Sequence, residues 1–425
     1  MKKILFASLL ILSLVACNNE ELESLNENSA VEIDVSENME LKGKWTGKIS
    51  NSPLEIIITL NERSGALSVP AQNITDLKAE TISYSENTFK MNINFEGQNI
   101  EISGTLKDDV IDGLFSQNGV EAPITLTPYE EDVVVNETYE KINIDVEGGT
   151  LIAALELPVK TPSAVAIIVA GSGGTDKNGN SIGLESNSYK MLAESLAAEG
   201  IATIRYDKRG IGENQVLVTD PNEITIDGYA KDVENIIKYA LQDERFSKVH
   251  IIGHSEGALL ATLAAQKQEV NSIILIAGAG RPIDEVLNEQ FSAELPANLL
   301  EESKNVLSSL KAGEIVESVS KELQPIFSIP TQSYLISWIK YNPVDELEKV
   351  DTKKYVVQGE TDIQVTEADW AALSKVTSEA IKIKGMNHIL KEAPAERAAN
   401  VATYNEPDLS LHKDIVPTIS RIIRN

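Results

Sequence analysis

The strongest constraint on the fold is the alternation of short apolar runs with helical stretches over residues 135–425. The run at 164–169 is apolar throughout, as expected for a strand that is buried on both faces. After it, Tyr189, Leu192 and Leu196 recur at helical spacing. This pattern predicts an α/β unit with a mostly parallel sheet and helices on both faces. Further strands are expected at 201–206, 249–252, 273–276, 355–357 and 381–383.

Residues 39–130 show a different pattern, in which apolar and polar residues alternate. Ile56, Ile58 and Leu60 are an example, and a period of two is typical of half-buried strands. Turn signals such as Asn118-Gly119 separate the runs. We predict a small antiparallel all-β domain, a β-meander. Its role is open between a binding module and a structural spacer, because fold alone does not define function.

The first residues read as a secretion signal. A basic start is followed by an apolar run at 4–15, which is too short to span a bilayer comfortably. The run ends in Leu14-Val15-Ala16-Cys17, which resembles the lipobox of bacterial lipoproteins. The resemblance implies cleavage before Cys17 and lipidation of its thiol. An ordinary signal peptide with an incidental cysteine is the alternative.

By this resemblance, residues 1–17 are a lipoprotein signal peptide, and the mature chain has a membrane partner through its lipid anchor. We expect a location in the bacterial cell envelope, at the outer membrane rather than the inner one. Residues 18–38 are polar and acidic with few large apolar groups, so they are expected to form a flexible tether.

Charge and composition exclude several functions. The formal net charge of −28 argues against nucleic acid as a partner, because phosphate binding requires clustered Lys and Arg. The single cysteine allows no intrachain disulfide and no Cys-rich zinc site. The four histidines form no HExxH pair, so neither a metal nor another cofactor is expected.

A candidate nucleophile, Ser255, lies in the sequence Gly253-His254-Ser255-Glu256-Gly257, which fits the pattern GxSxG. The motif alone is weak, but here it joins the predicted strand at 249–252 to a small apolar helix at 258–265. This is the setting of a nucleophile elbow, a tight turn that requires glycine on both sides of the serine. The following helix directs its positive N-terminal end at the site, where negative charge develops.

A serine hydroxyl needs a base, and His388 is the best candidate because it follows the last predicted strand, at 381–383. His254 is a rival, but it lies inside the elbow and its side chain is expected to point away from Ser255. His250 lies within a strand and is expected to pack in the core. His412 is expected at the surface near the start of a helix.

The base in turn needs an acid to fix its tautomer. Asp362 follows the predicted strand at 355–357, and Glu360 in the same loop is the alternative. The resulting chain order, Ser255, Asp362 and then His388, is the order that this type of fold requires.

The oxyanion of the reaction needs two backbone N–H donors. Glu256, directly after the nucleophile, is expected to supply one. The other is expected from the loop Gly171-Ser172-Gly173-Gly174 after the strand at 164–169, with Gly173 favoured and Ser172 as the alternative. This loop lacks the Gly-Lys-Ser/Thr of a P-loop and the spacing of a dinucleotide fingerprint.

Taken together, these segments resemble the α/β-hydrolase superfamily, and more closely the EstD-like carboxylesterases, which are related to serine aminopeptidase-like hydrolases. The resemblance spans about residues 135–425. Gly174 departs from the proline common in relatives, and Glu213-Asn214 departs from Glu-Ser or Lys-Ser. The segments that carry it are 170–180, Tyr206-Asp207-Lys208-Arg209-Gly210-Ile211-Gly212, 253–257, Gly359-x-x-Asp362 and Asn387-His388.

The resemblance also implies a helical lid at about residues 281–345. Trp338 and Tyr341 would line an acyl pocket or merely pack the lid onto the core. Apolar residues in this segment recur at helical spacings, namely Leu299, Leu300, Val306, Leu307, Leu310, Val316 and Val319.

We therefore expect a serine carboxylic-ester hydrolase that acts on small or short-chain acyl esters through an acyl-enzyme. A serine peptidase with the same machinery, or a surface lipoprotein whose triad is inert, are the alternatives. The complete set of Ser255, Asp362 and His388 speaks against an inert protein. Peptide cleavage would call for a charged group that reads the substrate terminus, and the sequence identifies none.

Overall fold

The computed structural model describes residues 41–50, 55–69, 74–95, 98–117, 120–129, 139–181 and 183–425. The chain divides into two compact units, whose described parts are the front unit, residues 41–129, and the back unit, residues 139–425. The predicted signal peptide with Cys17, the tether at 18–38 and the turn at Asn118-Gly119 lie outside the described residues. So does the segment at 130–138, in which the predicted domain boundary falls.

The front unit is a nine-stranded antiparallel sheet in the order β4-β3-β2-β1-β9-β8-β7-β6-β5. Its first strand pairs with its last as well as with its second. Ile56, Ile58 and Leu60 are fully buried in one apolar core with Trp45 and Met91, as the alternating pattern predicts. The strands are β1 (Gly43–Ile49), β2 (Glu55–Leu60), β3 (Gly65–Val69), β4 (Ile74–Lys78), β5 (Thr81–Ser85), β6 (Thr88–Phe95), β7 (Gln98–Lys107), β8 (Val110–Gln117) and β9 (Val120–Pro128).

The back unit contains an eight-stranded mixed sheet in the order β10-β11-β13-β12-β14-β15-β16-β17. Strand β11 is antiparallel to both of its neighbours, and the pairs from β13 to β17 are all parallel. The loops that follow the parallel strands therefore gather at one edge of the sheet. The strands are β10 (Glu140–Val146), β11 (Gly149–Glu156), β12 (Ala164–Val169), β13 (Ala202–Tyr206), β14 (Lys248–His254), β15 (Ser272–Ile276), β16 (Lys353–Gly359) and β17 (Glu379–Ile383).

Helices cover both faces of this sheet, as predicted. Neighbouring residues of β12 enter opposite apolar clusters: Ile167 packs with residues of α2 and α3, and Ile168 packs with residues of α1 and α10. The helices are α1 (Ser188–Ala198), α2 (Ile226–Gln242), α3 (Glu256–Ala265), α4 (Ile283–Glu294), α5 (Ala297–Lys311), α6 (Ile329–Ile339), α7 (Pro343–Glu348), α8 (Glu367–Leu373), α9 (Arg397–Ala402) and α10 (Ile415–Arg424).

Helices α4 to α7 occupy the long connection between β15 and β16. The helical spacing predicted through Val316 and Val319 is wrong, because α5 ends at Lys311. Gly313 follows with a φ of 80°, a left-handed conformation that commonly terminates a helix. Within the described part of the chain, no helix is both long enough and apolar enough to cross a bilayer.

Candidate active site

Ser255 occupies a strained turn between β14 and α3. Its backbone has φ 55° and ψ −121°, and its N–H donates to the carbonyl oxygen of Ile276, 2.9 Å away. A Cβ atom on Gly253 would lie 2.3 Å from the carbonyl oxygen of Gly257, and one on Gly257 would lie 2.3 Å from that of Val169. Both flanking positions therefore require glycine, as expected for an elbow that holds a serine in an unfavourable conformation.

His388 is hydrogen-bonded to Asp362, with 2.9 Å between Nδ1 and Oδ2. Burial by itself would raise the pKa of Asp362, but the adjacent His388 and the backbone N–H groups of Val365 and Gln364 hold it below its usual value. Asp362 therefore stays ionised and accepts a hydrogen bond from the imidazole. Glu360, the alternative acid, is exposed to solvent.

Ser255 and His388 line the same pocket, which has an empty volume of about 480 Å³. Leu184, Ile389 and Leu390 form an apolar part of its wall, and serine and threonine side chains line much of the rest. No described residue that lines this pocket carries a carboxylate, an ammonium or a guanidinium group. The pocket suits an uncharged ligand, because buried charges need charged partners.

The loop after β12 passes directly over Ser255, since a Cβ atom on Gly171 would lie 3.1 Å from that of Ser255. Ser172 lines the pocket, whereas Gly173 is not among its described lining residues. Gly173 instead turns the chain at a φ of 86°, and its carbonyl oxygen accepts from the N–H of Thr175. Gly173, the backbone N–H donor favoured from sequence, therefore lies outside the described pocket lining, and the alternative donor, Ser172, borders the pocket.

A buried polar chain behind the pocket was not anticipated from the sequence. The N–H of Gly171 donates to Oη of Tyr189 at 3.1 Å, and this hydroxyl lies 2.7 Å from Nδ1 of His254. Nε2 of His254 lies 2.8 Å from the carbonyl oxygen of His388. These hydrogen bonds thus link the loop after β12 to the backbone of His388. One feature of the sequence indicates such a chain: Tyr189 lies on an apolar helix face, and a buried tyrosine hydroxyl needs a hydrogen-bond partner.

His254 is neutral in this arrangement. Burial and the nearby His388 lower its pKa to about 3. The neutral ring accepts from Tyr189 at Nδ1 and donates from Nε2 to the carbonyl of His388, which fixes its tautomer. Its ring lies 4.9 Å from that of His388, measured between centroids, and it borders the pocket beside Ser255.

The other two histidines lie away from this pocket. His250 is buried in β14 and is bonded to Ser272, as a packing histidine should be. The prediction of a surface position for His412 is wrong, since its exposed fraction is 3%. Its N–H donates to the carbonyl oxygen of Leu390, and an isolated bridge joins the neighbouring Leu411 to Lys391, which draws the segment onto the loop after β17.

Trp338 and Tyr341 do not line the described pocket. Trp338 packs against Tyr334, with 5.8 Å between ring centroids, and Oη of Tyr341 donates to Asp227. Of the two roles considered from sequence, packing is therefore the one that the structure supports.

The order of the eight strands, with β11 antiparallel and a serine at the turn after β14, is that of the α/β-hydrolase fold. Residues 181–391 match the family described as "Serine aminopeptidase, S33". The chain is also 29% identical to Esterase EstD of Thermotoga maritima over 289 residues, which cover 64% of this chain and 66% of that relative, just under two thirds. The chain therefore has the α/β-hydrolase fold and is similar to serine hydrolases of this fold.

Solved structures of similar fold include Est1E from Butyrivibrio proteoclasticus, with a TM-score of 0.43 and 16% identity over 67% of this chain and 99% of that chain. Proline iminopeptidase of Mycobacterium smegmatis has a TM-score of 0.44 and 13% identity over 67% of this chain and 98% of that chain.

The buried His254 predicts a pH dependence of stability. Its folded pKa of about 3 is below the usual value of 6.5, so its contribution is complete above pH 6.5 and is lost as the pH falls towards 3. A pKa difference of one unit corresponds to about 1.4 kcal/mol. From about pH 7 to pH 4.5, we expect His254→Gln to lose about 2 kcal/mol less unfolding free energy than the wild type.

Urea unfolding at the two pH values, followed by the helical circular-dichroism signal, measures this difference. All helices of the described chain belong to the back unit, so the signal reports the unit that contains His254. His250, whose pKa burial lowers to about 4, is present in both proteins and cancels. Equal acid losses in variant and wild type would contradict the assignment of a buried neutral imidazole.

Proposed function

We propose that the protein is a serine carboxylic-ester hydrolase that uses Ser255 as nucleophile, His388 as base and Asp362 as the supporting acid. The observation that carries the proposal is the shared pocket, in which a strained, glycine-flanked serine lies with a histidine bonded to a buried carboxylate. A bound ester would complete the arrangement by bringing its carbonyl carbon to Oγ of Ser255.

The proposed reaction proceeds in two halves. Oγ of Ser255 attacks the ester carbonyl while Nε2 of His388 takes its proton, and the ionised Asp362 stabilises the imidazolium. The tetrahedral intermediate collapses to the acyl-enzyme, and the alcohol leaves with the proton from His388. Water, deprotonated by His388, then attacks the acyl carbon, and the carboxylic acid departs as Ser255 is regenerated.

Two backbone N–H groups are proposed to stabilise the oxyanion. Glu256 supplies one from the first turn of α3, where the helix dipole adds favourable potential. Ser172 supplies the other from the loop over the nucleophile, in preference to Gly173, because it borders the pocket. Each donor is held by its backbone and needs no rearrangement during the reaction.

An ester of modest size suits the pocket better than a peptide terminus does. Recognition of a free amino or carboxyl terminus calls for an opposite charge, and none is found among the described lining residues. Leu184 and Ile389 belong to a small apolar cluster that would border a short acyl chain. The relative named Esterase EstD supports the same choice.

Two further parts of the proposal concern the surroundings of the site. We propose that residues 281–345, which include α4 to α6, act as the lid expected from the sequence. Tyr334 of α6 supports this role, because it hydrogen-bonds the side chain that follows the nucleophile.

We also propose lipidation of Cys17 and anchoring to the bacterial envelope, on the basis of the lipobox-like Leu14-Val15-Ala16-Cys17.

Replacement of the nucleophile tests the central proposal. We expect Ser255→Ala to lower kcat/KM for short-chain p-nitrophenyl esters by about 10³-fold or more, because the residual rate comes from binding and the oxyanion donors alone. Ser181→Ala is the matched control, since this serine also lines the pocket but its hydroxyl has no hydrogen-bond partner among the described residues. Unchanged turnover in Ser255→Ala, with normal circular dichroism, would eliminate the assignment.

The choice of acid is tested by a pair of isosteric changes. Asp362→Asn keeps the shape of the side chain but no longer stabilises the imidazolium, so kcat should fall by about 10²–10⁴-fold. Glu360→Gln, in the same loop but exposed, should leave kcat near the wild-type value. Stopped-flow or steady-state ester hydrolysis measures both, and the reverse pattern would assign the acid to Glu360.

Lipid attachment is tested in a bacterial host that processes lipoproteins. We expect radiolabelled palmitate to enter the wild-type protein and to be absent from Cys17→Ser, because the thiol at this position is the only one in the chain. Fractionation should place the wild type with membranes. Equal labelling of both proteins, or none of either, would remove the proposed anchor without affecting the hydrolase assignment.

A further inference from the structure

A buried ion pair lies against the elbow and plays no part in the reaction proposed above. Nζ of Lys208 is 2.8 Å from Oε1 of Glu256, and the exposed fractions of the two side chains are 2% and 0%. The other carboxylate oxygen of Glu256 accepts from Oη of Tyr334 at 2.5 Å. Nζ of Lys208 also lies 4.1 Å from the centre of the Tyr229 ring.

Stability alone is a poor reason for such a pair. Two charges lose their hydration when they are buried, and an apolar replacement of similar volume is often as stable or more so. The cluster is nevertheless well satisfied, because burial and the Glu256 carboxylate raise the pKa of Tyr334 well above its usual value and keep this phenol a donor. The pair must therefore be explained by what it holds in place.

The side chain of Lys208 also contacts the loop over the nucleophile. Its Nζ donates to the carbonyl oxygen of Gly171 at 3.0 Å. This carbonyl belongs to the same peptide unit as the N–H of Ser172, and in a trans peptide the two groups point in opposite directions. A cation that holds the oxygen on one side therefore turns the N–H to the other side.

We propose that Lys208 is a positioning residue that fixes the Gly171–Ser172 peptide with its N–H directed at the oxyanion, and that Glu256 holds Lys208 in place. This inference rests on the proposed function, because it concerns the oxyanion site of that reaction. Glu256 then contributes to both oxyanion donors. Its backbone provides one N–H, and its side chain fixes the Lys208 ammonium, which orients the N–H of Ser172.

The Lys208 ammonium also polarises the peptide that it contacts. A positive charge at the carbonyl oxygen draws electron density through the amide and makes the N–H a stronger donor. Negative charge develops on the substrate oxygen as the transition state forms, so the stronger donor should stabilise mainly the transition state. Ground-state binding of the ester, whose carbonyl carries little charge, should depend on it far less.

Lys208→Met tests the proposal in the full-length protein. We expect kcat for p-nitrophenyl butyrate to fall by about 10²-fold, the usual effect of losing one oxyanion donor, with KM changed by less than about threefold. The dissociation constant of butylboronic acid, which adds to Ser255 as a tetrahedral anion, should rise by a similar factor. A purely structural role would lower stability or active fraction without this shared loss.

Two variants separate positioning from damage to the fold. Lys208→Met alone leaves a buried carboxylate unpaired, so the double variant Lys208→Met/Glu256→Leu removes both charges while keeping the N–H of residue 256. It should show the same kcat loss. Arg205→Met is the control, because Arg205 is 2% exposed and paired with Glu156 but does not line the pocket. It should keep a wild-type kcat and boronate affinity.

Tyr334→Phe addresses the alternative that the pair merely anchors α6. It removes one hydroxyl but leaves the contact between Lys208 and Gly171, so we expect less than a threefold change in kcat. A full loss in Tyr334→Phe, with none in Lys208→Met, would overturn the proposal in favour of anchoring. Unchanged kcat and boronate affinity in Lys208→Met would also overturn it, while the dependence on Ser255 would remain.

Discussion

The close approach of the turn at Gly253–Gly257 to the backbone of β12 is the constraint on which the site depends. The absent Cβ atoms allow main-chain atoms to approach where any side chain would collide with Val169 or with the turn itself. Ser255 is then forced to a positive φ and stands at the end of the sheet, where the loop at Gly171 passes over it. The parallel strands stabilise this strained turn because their core is buried on both faces.

The site is polar, yet none of the described residues that line its pocket carries a carboxylate, an ammonium or a guanidinium group. The charged groups close to the elbow have partners of their own. Lys208 is paired with Glu256, and the Asp362 carboxylate accepts hydrogen bonds from His388 and from backbone N–H groups. Inside a medium of low dielectric constant, such fixed charges act on neighbouring dipoles more strongly than in water. The pocket itself suits an uncharged ligand, although the whole chain has a net charge of −28.

The sequence predicted strands β12 to β17, because buried parallel strands leave continuous apolar runs such as 164–169, and a serine between two glycines marks the elbow. It did not predict β10 and the antiparallel β11. It also predicted that His388 and Asp362 lie close together, since loops that follow parallel strands share one edge of the sheet. The sequence-based predictions were wrong where contacts between distant segments determine burial or the end of a helix. His412 is buried because a bridge near Leu390 draws its segment inward, and Val316 lies beyond the end of α5.

The orientation of a single peptide could not be derived from the sequence either. The four residues at Gly171–Gly174 offer several N–H groups, and nothing in their pattern says which one faces the serine. That information comes from the loop after β13, where Lys208 follows a strand that ends at the same edge of the sheet. In the sequence, the motif around Asp207 and Lys208 indicates only a family resemblance. Its physical meaning depends on Glu256, 48 residues further along the chain, whose side chain holds the ammonium against the carbonyl of Gly171.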